Sequence, residues 1–146
     1  MEGHTASHRL LGIWYSFRNL PPWLQGWVLL ILMPLNGASL LFLDSFSGQA
    51  TALALLLVLT VNFSLMWHHG GMNKDMSLVH LLAWIPLEMG LLGQLAGIWG
   101  DDFLTPTQWA FTVAVVMVNA ISLFFDIVDA WCWAQGDRVT LHPDHS

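Results

Sequence analysis

Four stretches of this chain are too long and too apolar to be the one-sided helices of a small soluble domain. Residues 23–43, 49–67, 77–99 and 107–133 carry very few charged side chains, and about 20 apolar residues suffice for a helix to cross a hydrocarbon core. The segments between them are short, so neighbouring spans must run antiparallel. The expected fold is therefore an all-α integral membrane protein: one membrane domain over residues 1–146, built as a four-helix transmembrane bundle. Composition agrees. Charged residues make up 10% of the chain, against about 25% in a typical soluble domain. The first span is read as a retained helix rather than a cleaved leader, because its apolar run continues through Leu43, beyond the length of a signal core.

The few charges set the expected orientation. Lys and Arg number four, at Arg9, Arg18, Lys74 and Arg138. They fall before the first span, between the second and third, and after the fourth. The two remaining loops hold the acids Asp44, Asp101 and Asp102. One-sided basic residues mark the cytoplasmic face, which predicts both termini inside and a multi-pass protein of a bacterial inner membrane. So sparse a basic set excludes a nucleic-acid surface, which needs clustered Lys and Arg. The single cysteine, Cys132, excludes an internal disulfide.

Tryptophans support the same frame. Trp23, Trp27, Trp67, Trp131 and Trp133 fall at inner ends and Trp99 and Trp109 at outer ends, where amphipathic rings prefer to lie. Only Trp84 sits well inside a span. In residues 8–18, Leu10, Ile13, Trp14 and Phe17 recur at helical spacing between two arginines, the pattern of an amphipathic helix resting on the inner leaflet. Residues 135–146 read as a polar cytoplasmic tail, with His142, Asp144 and His145 in solvent.

The polar residues inside the spans carry the functional reading. Asp at a helix centre costs about 3 kcal/mol on insertion scales, so such groups face the bundle and find partners. Counting at 1.5 Å per residue puts Glu88 level with Asn119 near mid-membrane. It puts His80 level with Asp126, nearer the cytoplasm, with Asn36 and Asn62 close to the centre of their spans. Asn119 and Asp126 share a face, widened by Ser122 and Asp129. The result is a polar column between the third and fourth spans. Glu88, His80 and Asp126 are the candidate acid/base or proton-relay groups; Asn36, Asn62, Trp84, Asn119 and Asp129 are candidate ligand contacts. Structurally, Glu88 bonded to Asn119 or Asn36 would merely hold helices together, and Asp129 alone reads as an interfacial charge.

Pro34 and Pro86 each precede a polar residue by two positions and free the carbonyls of Leu30 and Leu82. Gly90, Gly93 and Gly97 are assigned to helix packing, and Asp75 to favourable charge at the start of the third helix. His68, His69 and His80 lie near one another in sequence, but no metal-ligand spacing joins them; no metal or cofactor is expected. Three function classes follow. The first is a proton-coupled carrier or channel for a small molecule. The second is a membrane-embedded acid/base enzyme, an isomerase or cyclase type, on a lipophilic substrate. The third is an accessory subunit of a larger complex. Expected partners are membrane lipids, a lipophilic small molecule or proton, and either further copies of the chain or another membrane subunit. A vestibule open to both sides would favour the carrier, and a blind cavity opening sideways to lipid the enzyme.

Overall fold

The computed structural model describes residues 2–137, with side chains from residue 6 onward. Arg138, His142, Asp144 and His145, and with them most of the tail over 135–146, lie outside the described residues. The described chain is all helical. A first helix, α1 (Glu2–Arg18), precedes four helices long and apolar enough to cross a membrane: α2 (Pro22–Leu41), α3 (Phe46–His69), α4 (Met76–Leu95) and α5 (Pro106–Ala134).

Local chemistry sets the ends. Ser45 caps α3 by accepting from the Gly48 N–H at 3.1 Å. Thr105 and Gln108 form a reciprocal capping box ahead of Pro106, which occupies the first turn of α5 where its missing N–H costs nothing. Gly70, at φ 69°, closes α3. The third span stops at Leu95, four residues short of the expected 99. Gly97, at φ 71°, turns the chain there, and the N–H groups of Gly97 and Ile98 bond back to the Gln94 and Gly93 carbonyls. That paired return is the Schellman ending that glycine permits. Gly97 thus ends the helix rather than packing it. At Gly93 the Trp99 ring lies where a side chain would go, and its N–H donates to the Gly90 carbonyl at 2.8 Å, while the open side of Gly90 faces the Phe46 ring of α3.

Pro34 reshapes α2. Its pyrrolidine nitrogen cannot donate, and the helix slips into a π-helical stretch over Trp27–Leu32, with the Met33 N–H reaching back five residues to Val28. A short 3-10 turn, Ala38–Leu41, ends the helix. Such π segments occur often beside functional sites.

The spans do not share the core equally. In α4, 44% of the most apolar window is buried, against 11% in α2, because α4 lies between α3 and α5 while α2 leans on the bundle from one side. The apolar core is centred on Leu91 and Val115, with Trp84, Leu87 and Phe111 around them; Phe42 stacks on Phe111 at 4.5 Å between ring centres. Large apolar side chains such as Leu30, Leu41, Leu82 and Phe124 point outward, as they must where the surroundings are lipid rather than water.

The closest packing of α2 on α3 is confined to residues 33–41, at the end of the bundle carrying Asp44 and Asp101. Toward the other end, which carries Arg18 and Lys74, the two helices diverge. Helix α1 sits at that end against α3. Gly12 approaches so closely that a side chain on it would meet the Gly70 carbonyl at 2.2 Å. Arg9 donates to the Trp67 carbonyl at 3.2 Å and lies over its ring.

Candidate functional site

Two polar networks cross the interior. The first is closed. Asn36 and Asn119, both essentially fully buried, exchange hydrogen bonds in both directions at 2.9 and 3.1 Å, and Asn36 donates once more to the Leu32 carbonyl. Both amide carbonyls and both amide N–H groups are used, and the pair ties α2 to α5.

The second network joins three helices. His80 on α4 meets Asp126 on α5 through Nδ1 at 2.8 Å and Asn62 on α3 through Nε2 at 2.6 Å. Counted from the ends of their helices, the three residues stand about 7–9 Å from the span centres on the same side. The hydrogen bonding assigns the donors. The Asp126 carboxylate only accepts, so it takes the Nδ1 proton; Nε2 then offers its lone pair to the Asn62 amide N–H. The Asn62 Oδ1 and the Asp126 Oδ2 are left buried with no partner among the described residues. In apolar surroundings an unmatched polar atom is costly, roughly 2–7 kcal/mol depending on reference, so this network retains bonding capacity that the asparagine pair has used up.

His80 and Trp84, one turn apart, stand between two cavities. The larger, about 880 Å³, lies where α2 and α3 diverge. Its walls are apolar: Val28 and Leu32 from the π stretch, Val58 and Phe63 from α3, and Met76 from α4. Ile13, Trp14 and Phe17 of α1 close its lower side. Its rim includes Leu29, Leu59 and Phe63, which are exposed on the outer surface of the bundle, so it opens sideways. The smaller, about 350 Å³, lies between α2, α4 and α5; it holds Ser122, Asp126 and Asp129 and reaches the basic end at Asn73 and Lys74. Trp27 crosses it to donate to Ser122 at 3.1 Å.

The expected site residues fall into three groups. His80, Asp126, Asn62 and Trp84 come together. Asn36 and Asn119 pair with each other, Asn36 reaching the larger cavity's wall. Glu88 is buried in the bundle at 8% exposure, but it lines neither cavity and makes no hydrogen bond to His80, Asp126, Asn36 or Asn119; its Oε1 has no partner among the described residues. Asp129 is exposed at the smaller cavity's rim. The contribution of α1 to a cavity wall, and the Trp27–Ser122 bond, were missed. The helical spacing of Ile13, Trp14 and Phe17 was the available signal for α1; nothing in the sequence pointed to Trp27.

At the basic end, His69 pairs with Asp75 at 2.9 Å, so Asp75 begins α4 without capping it by a side-chain bond. Lys74 pairs with Asp137, whose carboxylate, hydrogen-bonded to the ammonium, holds the lysine pKa above its ordinary value against a smaller opposing effect of burial. At the acidic end, Asp101 accepts from the Phe46 N–H at 2.8 Å and from Gln94 at 3.0 Å. Among the described residues no group of three His, Cys, Asp or Glu side chains could hold a metal ion.

Comparison with protein-family models, with curated proteins and with solved structures finds no match to this chain. What the fold defines is a class: an all-helical chain with four helices able to cross a membrane.

Proposed function

We propose that this chain is a multi-pass membrane protein that takes a lipophilic small molecule sideways from the bilayer and exchanges a proton with it at His80. The observation that carries the reading is the position of the Asn62–His80–Asp126 network in the wall of a large apolar cavity that opens between α2 and α3. At about 880 Å³ the cavity lies in the range, about 300–1,000 Å³, that encloses a small organic ligand.

The chemistry follows from the network. An imidazole is the side chain best suited to give and take protons near neutrality. Asp126 orients the ring through Nδ1 and offsets the imidazolium charge when Nε2 gains a proton. Asn62 holds Nε2 in the resting state and yields it to a ligand. The sideways opening supports an acid/base enzyme acting on a lipophilic substrate. Proton-coupled transport is the second reading, supported by the smaller cavity, which approaches His80 from the basic end past Lys74 and Asp129. In both readings the basic end, with Arg9, Arg18 and Lys74, faces the cytoplasm of a bacterial inner membrane, both termini lie inside, and α1 rests on the inner leaflet.

The test is to purify the chain gently and identify co-purifying apolar compounds by mass spectrometry, beside a Leu59→Trp variant that fills the cavity's mouth. A defined lipophilic compound retained by the unaltered chain and depleted from the variant supports the reading. Bulk phospholipid alone, equal in both, contradicts it.

A further inference from the structure

The two cavities meet at Trp84, which holds an unused donor. Trp84 is only 3% exposed and lines both cavities, and its indole N–H has no hydrogen-bond partner among the described residues. The nitrogen is not sealed in packing as the Asn62 Oδ1 and the Asp126 Oδ2 are, so it opens on the cavity space that the ring divides. A tryptophan N–H buried to this degree ordinarily has an acceptor. No neighbour supplies one. Asp126 Oδ1 takes the His80 proton, Asn62 holds His80 Nε2, and Ser122 takes the Trp27 N–H. The Thr60 and Ser64 hydroxyls on the larger cavity's wall donate to carbonyls of their own helix at 2.8 Å and keep lone pairs. Each stands two residues from Asn62, about 160° around α3 from the side that meets His80. Asp129, at the smaller cavity's rim, lies about 10 Å nearer the basic end than Trp84. Trp14, on α1, is a second indole without a partner and adds another donor to the larger cavity's wall.

We infer that the lipophilic ligand is a carbonyl compound, a ketone, aldehyde or ester, whose oxygen accepts from the Trp84 indole N–H. This rests on the proposed lipophilic site and adds the ligand's polar group. A carbonyl only accepts, so it matches the open donor and brings no proton of its own that needs a partner. An alcohol oxygen can accept from Trp84 as well, but its own proton is then left in apolar surroundings without an acceptor, which is costly. A carboxylate finds no free cation. No Lys or Arg lines the larger cavity, and in the smaller one Lys74 is paired with Asp137 and stands beside Asp126 and Asp129. An alkane leaves the N–H unmatched. Trp84 stands one turn from His80, about 6 Å along the helix, so the carbons beside the bound carbonyl lie within a turn of the imidazole.

The experiment uses the full chain in nanodiscs of dialkyl ether phospholipid, which has no carbonyl of its own. Radiolabelled methyl pentadecyl ketone is the probe, with heptadecane and the alcohol of the same skeleton as competitors, all measured against empty nanodiscs. The ketone should bind about tenfold more tightly than either competitor, the ratio one well-placed hydrogen bond supplies. Its carbonyl infrared band, isolated by isotopic labelling, should fall below its position in hydrocarbon solvent. Trp84→Phe should still bind heptadecane, lose the preference for the ketone and return the band to its hydrocarbon position. Should Trp84→Phe fail to assemble, the preference and the band of the unaltered chain still decide. Equal binding of ketone and heptadecane, alcohol binding as tight as the ketone's, an unshifted band, or a preference that survives Trp84→Phe overturns the assignment and leaves the lipophilic site standing. Failure of all three compounds to bind overturns that site as well.

Discussion

The bundle contains two polar networks of similar make-up and opposite character. Asn36 and Asn119 satisfy each other in both directions inside a packed helix contact. Asn62, His80 and Asp126 bridge three helices beside open space and keep two acceptor atoms unmatched. A buried amide that spends all its bonding on a neighbour has nothing left for a ligand; it contributes to assembly. A buried amide that keeps an unmatched acceptor has bonding capacity left over. Type and depth of residue are therefore weak guides to role inside a membrane, and the count of unspent hydrogen bonds is a better one.

The contrast can be broken from either side. The largest effect is expected from His80→Ala. Measured per folded molecule, it should lower proton exchange or turnover with the lipophilic ligand by about 100-fold or more, the scale of a lost general acid/base. Activity that survives this change would assign the network to helix assembly instead. Asn119→Leu should do the reverse. It strands the Asn36 amide and should destabilise the fold by about 1–2 kcal/mol in a membrane setting, read as a lower midpoint on thermal unfolding in detergent. The double change Asn36→Leu with Asn119→Leu should recover part of the loss, the mark of a coupled pair. Ligand handling per folded molecule should be unchanged in Asn119→Leu, since Asn119 lines neither cavity.

Glu88 sharpens the comparison, since it belongs to neither network. Glu88→Gln keeps its size and hydrogen-bonding capacity and should leave folding and ligand binding within about 0.5 kcal/mol of the unaltered chain. A large loss of ligand binding would extend the site toward the acidic end.

The smallest effect is at the surface. Asp137 holds the Lys74 pKa above the lysine reference of 10.5, so the ion pair contributes fully below that value and is lost as pH rises through the raised one. Lys74→Ala should cost no more than about 1 kcal/mol, and the difference from the unaltered chain should shrink in high salt and disappear at strongly alkaline pH.

Much of this was legible in the sequence, and the parts that were not have common physical causes. The spans were readable because lipid demands length and apolarity, and the meeting of His80 with Asp126 because the rise per residue converts position into depth. Depth says nothing of what stands beside a residue around the bundle axis. Glu88 was therefore grouped with His80, two turns away on the same helix, although it lines neither cavity that His80 lines. Asn62 and His80 were set at different depths because the third span was carried on to residue 99; with α4 ending at Leu95 its centre shifts about two to three residues toward the basic end, and His80 falls level with Asn62. The larger cavity was illegible altogether. It arises from the divergence of α2 from α3, the π stretch before Pro34, and the seating of α1 at Gly70, none of which a hydropathy pattern encodes.

The account turns on the Asn62–His80–Asp126 network being the one that meets the ligand. Nitrogen NMR of the chain labelled at histidine and asparagine side chains, recorded with and without the lipophilic compound that co-purifies with it, tests this directly. His80 should show its proton on Nδ1, and its Nε2 and the Asn62 amide should shift as that compound is added, while the Asn36 and Asn119 amides stay where they are. Shifts at Asn36 and Asn119 with His80 and Asn62 unmoved would contradict the account.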